Sequence, residues 1–139
     1  MKQKNCLTLA DAKIIASGCE SEALERGWAV AIAIVDDGGH PMWLQRLDDA
    51  PLTSTDIAIG KARTAALGRR TSKAYEDMVS NGRVAVMSMP GDLTFLEGGE
   101  PVMIDGEVVG AVGVSGVKSA EDAQVARAGI GVLLASLQH

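Results

Sequence analysis

Aromatic side chains are scarce in this sequence: Trp28, Trp43, Tyr75 and Phe95 are all that its 139 residues contain. Single-stranded nucleic acid therefore finds few rings to stack on. An excess of positive charge is missing too, since 13 Lys and Arg stand against 18 Asp and Glu, a net charge of −5. A phosphate backbone meets no overall attraction, and nucleic acid is not an expected partner. The two cysteines, Cys6 and Cys19, are too few for a disulfide framework or a cysteine-based zinc site. No apolar run approaches the roughly 20 residues of a membrane span. The opening MKQKNCLTLADAK has a lysine pair but no apolar core of a signal peptide. These absences lead us to expect a cytoplasmic protein with no membrane partner. A core short of rings has to be built from Val, Ile, Leu, Met and Ala, and residues 1–139 suffice for a single domain.

What is present is clear periodicity. Thr8 and Asp11 make a shortened capping box, and Leu9, Ala12, Ile15, Ala16, Cys19 and Ala23 then recur at helical spacing. Gly27 reads as the stop, giving a helix over about 9–26. WAVAIAIVD is an uncharged run that suits a strand buried on both faces. DDGG, Asp36 to Gly39, supplies a tight turn, and HPMWLQRL returns as a strand whose Pro41 suits an edge. Thr53 and Asp56 are placed to cap TDIAIGKARTAALG, whose Ala58, Ala62, Ala65 and Ala66 form a face of small residues. A shorter helix runs from Thr71 to Asn81-Gly82. RVAVMSMPGDLTF carries no clear pattern beyond the Pro90-Gly91 turn. PVMID and EVVGAVGVSG form a hairpin closed by Asp105-Gly106. Ser119 and Asp122 cap a last helix, whose second half, AGIGVLLASL, is apolar nearly all round. Such a helix asks for cover on two sides, one of them a second subunit that Gly129 and Gly131 let come close. The order α-β-β-α-α-β-β-α predicts an α+β domain, an antiparallel sheet with helices packed on it.

The stretch FLEGGEPVMIDGEVVGAVGVSG is dense in glycine but is no phosphate loop. It lacks both GxGxxG and a following Lys-Ser/Thr. Gly110, Gly113 and Gly116 read as close-packing positions within a strand. Gly98-Gly99, before Pro101, reads as a pair of exposed amides at a strand entrance.

VDDGGH, PLTSTDIAIGKARTAA, GGEPVMIDGEVVGAVGVSG and AEDAQVARAG, in that order, resemble the GlcG/HbpS family. The C-terminal domain of PduO-type cobalamin adenosyltransferases belongs to the same family. The likeness covers nearly the whole chain. It implies a profilin-like α+β fold and a homo-oligomer, often an octamer. Members are linked to haem binding, to genes of glycolate or diol metabolism, and to cofactor-free lyase chemistry on small aromatic acids. Glu100 departs from the pattern, which has an apolar residue between GG and P.

Several side chains are candidates for chemistry. His40, the only internal histidine, is either a solvent-facing turn residue or a metal or haem ligand. Met42 shares its expected strand face, so the two cannot flank one iron. His139 ends the chain and is a weak candidate. Asp36-Asp37 and Asp48-Asp49 suit turns. Lys61 lies on an otherwise apolar helix face. It either snorkels or captures a carboxylate, a haem propionate or a small acid. The family motif IGKARTAA favours capture. Arg46 ends the second strand and offers a second cation. Asp56, one turn before Lys61, is placed to orient it or to exchange a proton.

Three functions follow. The first is an oligomer holding haem, a related tetrapyrrole or a small acidic ligand, with His40, Arg46, Lys61, Gly98, Gly99 and Glu100 around it. The second is a cofactor-independent lyase or isomerase on a small organic acid, with Lys61 and Asp56 as the catalytic pair at a subunit-interface pocket. The third is a non-catalytic accessory protein whose glycines serve assembly.

Overall fold

A computed structural model describes residues 1–138; His139 lies outside the described residues. Helix α1 spans Leu9–Arg26, and Thr8 caps it reciprocally with Asp11. The Thr8 amide donates to Asp11 Oδ2 at 2.8 Å and the Asp11 amide to Thr8 Oγ1 at 3.1 Å. Gly27 ends the helix at φ 74°. Strands β1 (Ala31–Asp36) and β2 (Pro41–Arg46) follow, then α2 (Ser54–Gly68) and α3 (Ser72–Ser80). A 3-10 turn at Val84–Ser88 occupies the patternless stretch. Strands β3 (Gly99–Ile104) and β4 (Glu107–Ser115) and helix α4 (Ser119–Ser136) complete the order α-β-β-α-α-β-β-α. The fold is α+β, as the sequence predicts.

All pairings are antiparallel and the strand order is β2-β1-β4-β3. The two hairpins thus join through their second-to-edge strands, β1 and β4. The sheet has two unlike faces, written into β1 as Ala-Ile-Ala-Ile-Val. Ile32 and Ile34, with Val112, Val114 and Val102, form one core with α1 and α4. Ala31, Ala33, Val35 and Ala111 meet Ala58, Ala62, Ala65 and Ala66 of α2 on the other. Each buried Ile or Val removes enough apolar surface to contribute about 1.5–3 kcal/mol. The alanine face gains less from area and more from closeness. A side chain at Gly113 would overlap the carbonyl of Ala58 and the amide of Ala62.

The Asp105-Gly106 turn has φ 51° and 78°, both left-handed, as a two-residue hairpin requires. Three local expectations are corrected. Thr53 begins α2 without a side-chain cap bond; Ser54 Oγ instead donates to the Pro51 carbonyl at 2.5 Å. Helix α2 does end at Gly68, and Arg69 after it turns left-handed at φ 58°. Gly68 also serves packing, because a Cβ there would overlap the Tyr75 ring. At α4 the cap position is Lys118, not Ser119; its amide is bonded by Glu121 at 3.3 Å, and Asp122 reaches the Val117 amide before it as well as Lys61. Gly129 also serves this chain, not a neighbour: a Cβ there would collide with Cys19 Sγ and the Ile15 carbonyl of α1. Gly131 has nothing near it, and Val132 and Leu134 of α4 and Leu137 just after it are exposed.

Candidate functional site

Lys61, Gly98 and Gly99 come together as the sequence suggests, but as a closed internal node. Lys61 is 2 % exposed. Its Nζ donates to Asp122 Oδ2 at 3.0 Å and to the Val114 carbonyl at 3.0 Å. Asp122 Oδ1 accepts from the Val117 amide at 3.1 Å. The pair ties α2 to the end of β4 and the first turn of α4. Burial pushes the Asp122 carboxyl above its ordinary value, and the Lys61 charge and the Val117 amide pull it partly back. Gly98 sits at φ 133°, where a Cβ would fall 2.7 Å from Lys61 Nζ. Gly98 and Gly99 do not offer exposed amides. Both are buried, and the Gly99 amide donates to Ser72 Oγ at 2.8 Å. Ser72 in turn donates to the Leu96 carbonyl at 2.5 Å. Asp56 is exposed on α2, and the carboxylate that meets Lys61 is Asp122. Carboxylate capture by Lys61 therefore requires this pair to open.

Glu100 lies on the opposite face of the sheet from Gly99, beside α4. It accepts from Arg127 Nη1 at 2.9 Å. Burial raises its carboxyl above the ordinary value, against the pull of Arg127. The unusual residue of the GGEP motif is thus matched by a partner on α4.

His40 stands apart from that node. It precedes β2 rather than lying in it, so it shares no strand face with Met42, which packs half-buried against the α1–α4 core. Its side chain is 77 % exposed. Asp36 organises the turn: its Oδ1 accepts from the amides of Gly38 and His40, both at 2.9 Å. The same carboxylate meets His40 Nδ1 at 3.1 Å through Oδ1 and 3.3 Å through Oδ2. Partial burial works to raise the Asp36 carboxyl, but these hydrogen bonds outweigh it and hold it below the ordinary value. An ionised carboxylate makes Nδ1 the donor, which leaves the lone pair on Nε2. Arg46 is exposed at the far end of β2; the six-residue strand Pro41–Arg46 separates the two by about 20 Å.

Arg63 fastens the turn to α2. Its Nη1 donates to the Gly39 carbonyl at 2.8 Å and its Nε to the Gly91 carbonyl at 3.1 Å. Sequence reading missed Asp36 as the partner of His40, Asp122 as the partner of Lys61, and Ser72. The four-residue DDGG turn was signal enough for the first, since it returns the chain on itself. A lysine on an apolar helix face demands a counter-charge, but nothing local says which acid supplies it. Among the described residues no group of three or more His, Cys, Asp and Glu side chains is placed to hold a metal ion. Among them, too, no helix is long and apolar enough to cross a membrane.

Comparison with known proteins fits this architecture. The family model described as haem degrading protein HbpS-like matches residues 7–131. Protein GlcG of Escherichia coli K12 is 51 % identical over 115 residues, covering 83 % of this chain and 85 % of that one. The crystal structure of Klebsiella pneumoniae protein ORFY superposes with a TM-score of 0.91 at 30 % identity, over 97 % of this chain and 95 % of the other. A crystal structure described as a PduOC:heme complex superposes at 0.83 with 25 % identity, over 92 % and 95 %. With a family model matched over most of its length and a relative identical at half of the aligned positions, the chain belongs to the GlcG/HbpS-like family.

Proposed function

We propose that this protein is a homo-oligomer that binds haem or a related tetrapyrrole, with His40 as an axial ligand. The carrying observation is the Asp36–His40 pair. A carboxylate on one ring nitrogen fixes the tautomer and orients the imidazole, so that the other nitrogen presents its lone pair. Nε2 is left in solvent on a rigid turn, as a ligand for an incoming iron requires. A single imidazole holds a bare metal ion poorly. Haem brings four nitrogen ligands of its own and asks the protein for only one or two more. The structural likeness to a PduOC:heme complex supports the same reading.

Homo-oligomer formation, up to the octamer that the family suggests, fits the exposed Val132 and Leu134 of α4, Leu137 just after it, and the exposed Met87 and Met89 after α3. Arg46 joins a haem on His40 only when a second copy brings it there. The lyase or isomerase reading finds no support in the geometry, because Lys61 is sealed against Asp122 and away from Asp56. Titration of the protein with haemin tests the proposal. A saturable Soret shift at micromolar concentration is expected; no shift would overturn it.

A further inference from the structure

The β1–β2 turn borders a second feature. A cleft of about 380 Å3 lies between Asp37 and the β3–β4 hairpin, lined by Lys2, Lys4, Arg69, Met103 and Val108. Its charges do not cancel. Lys4 Nζ lies 2.6 Å from Asp37 Oδ2, and Lys2 Nζ lies 3.1 Å from Glu107 Oε1, so each acid is already taken. Arg69 meets no carboxylate within ion-pair distance among the described residues. Its Nη1 donates to the Asp37 carbonyl at 3.1 Å, which uses one of five donors and neutralises no charge. That bond holds the guanidinium at the rim, on a residue whose φ of 58° ordinarily suits glycine. Met103, about half exposed, and Val108 supply an apolar wall beside it. A fixed guanidinium with free donors next to apolar surface matches a carboxylate attached to an apolar body.

We propose that this cleft binds the carboxylate of an amphipathic acid, Arg69 holding the carboxylate and Met103 and Val108 receiving the apolar part. Resting on the haem reading above, the carboxylate is a propionate of the tetrapyrrole that His40 meets, three residues along the same turn from Asp37. Arg69 is then the residue that selects free-acid porphyrins over their esters.

Metal-free protoporphyrin IX is the probe, because it lacks the iron that His40 would hold. Its fluorescence is titrated with the intact protein, Arg69→Gly and Arg69→Lys, and the titration is repeated with the dimethyl ester. Glycine suits the left-handed backbone, so Arg69→Gly keeps the fold, which its melting curve verifies. The expected result is a loss of about tenfold or more for the ester, and the same loss for Arg69→Gly, with no further loss when both are combined. Arg69→Lys retains part of the affinity. Equal binding of acid and ester, unchanged binding by Arg69→Gly, or no binding of the free acid overturns the assignment. A haemin Soret shift that persists in any of those cases leaves the His40 reading standing. Binding through Arg69 without a haemin shift sinks the His40 reading alone.

Discussion

At the scale of single residues, the Lys61–Asp122 pair and the Asp36–His40 pair divide the roles that the sequence had assigned to one site. The first pair is buried on both sides and faces only its own chain. Removing one partner strands a charge, at a cost of about 3–5 kcal/mol. Lys61→Ala is therefore expected to lower the urea midpoint steeply, while Lys61→Met combined with Asp122→Leu returns much of the loss. A Lys61→Ala variant as stable as the parent would show that the lysine is held for another purpose. The second pair is open to solvent. Asp36→Asn leaves the turn's shape but weakens the grip on the imidazole, and haemin affinity is expected to fall about 10–100-fold. Glu100 gives a pH signature. Its folded-state carboxyl is raised by burial, so the stability it contributes is present at low pH and lost as pH rises through the raised value. Relative to Glu100→Gln, the parent should lose stability as pH rises from the ordinary glutamate value of about 4.3 through the raised folded-state value; a parallel pair of pH profiles would contradict this.

At the scale of elements, the helices and hairpins were legible because their signals are local. The Thr8–Asp11 box, the Asp105-Gly106 turn and the alternation in β1 each need only a few neighbouring residues. What the sequence could not show is which surfaces meet. The small stripe of α2 is explained only once β1 and β4 lie side by side with Ala33 opposite Gly113. Gly129 looked like an assembly residue and proves to be where α4 crosses α1 at Gly18. The two α4 glycines therefore make a controlled comparison. Gly131→Ala is expected to be neutral or stabilising by up to about 1 kcal/mol, from helix propensity. Gly129→Ala must push Cys19 and the α1 backbone aside and should instead destabilise the protein, in the range of overpacked cores, about 1–3 kcal/mol or more. Thermal melts of both variants decide it, and equal effects would refute the crossing geometry.

At the scale of the whole molecule, the α2 face and the α1–α4 face enclose one sheet, and the chemistry falls at its ends. The candidate site was only partly readable. His40 was visible as the lone internal histidine, but its value as a ligand depends on Asp36, and that depends on the folded turn. Family membership fixes the architecture and leaves the ligand to the turn's geometry. In the proposed function, Nε2 of His40 binds the iron of haem. Comparing the ferric haemin complexes of the parent and His40→Ala by absorption and electron paramagnetic resonance tests this most directly. The parent is expected to give the spectrum of a nitrogen-ligated haem, and His40→Ala, still folded, to lose it. Identical spectra from the two proteins would contradict it.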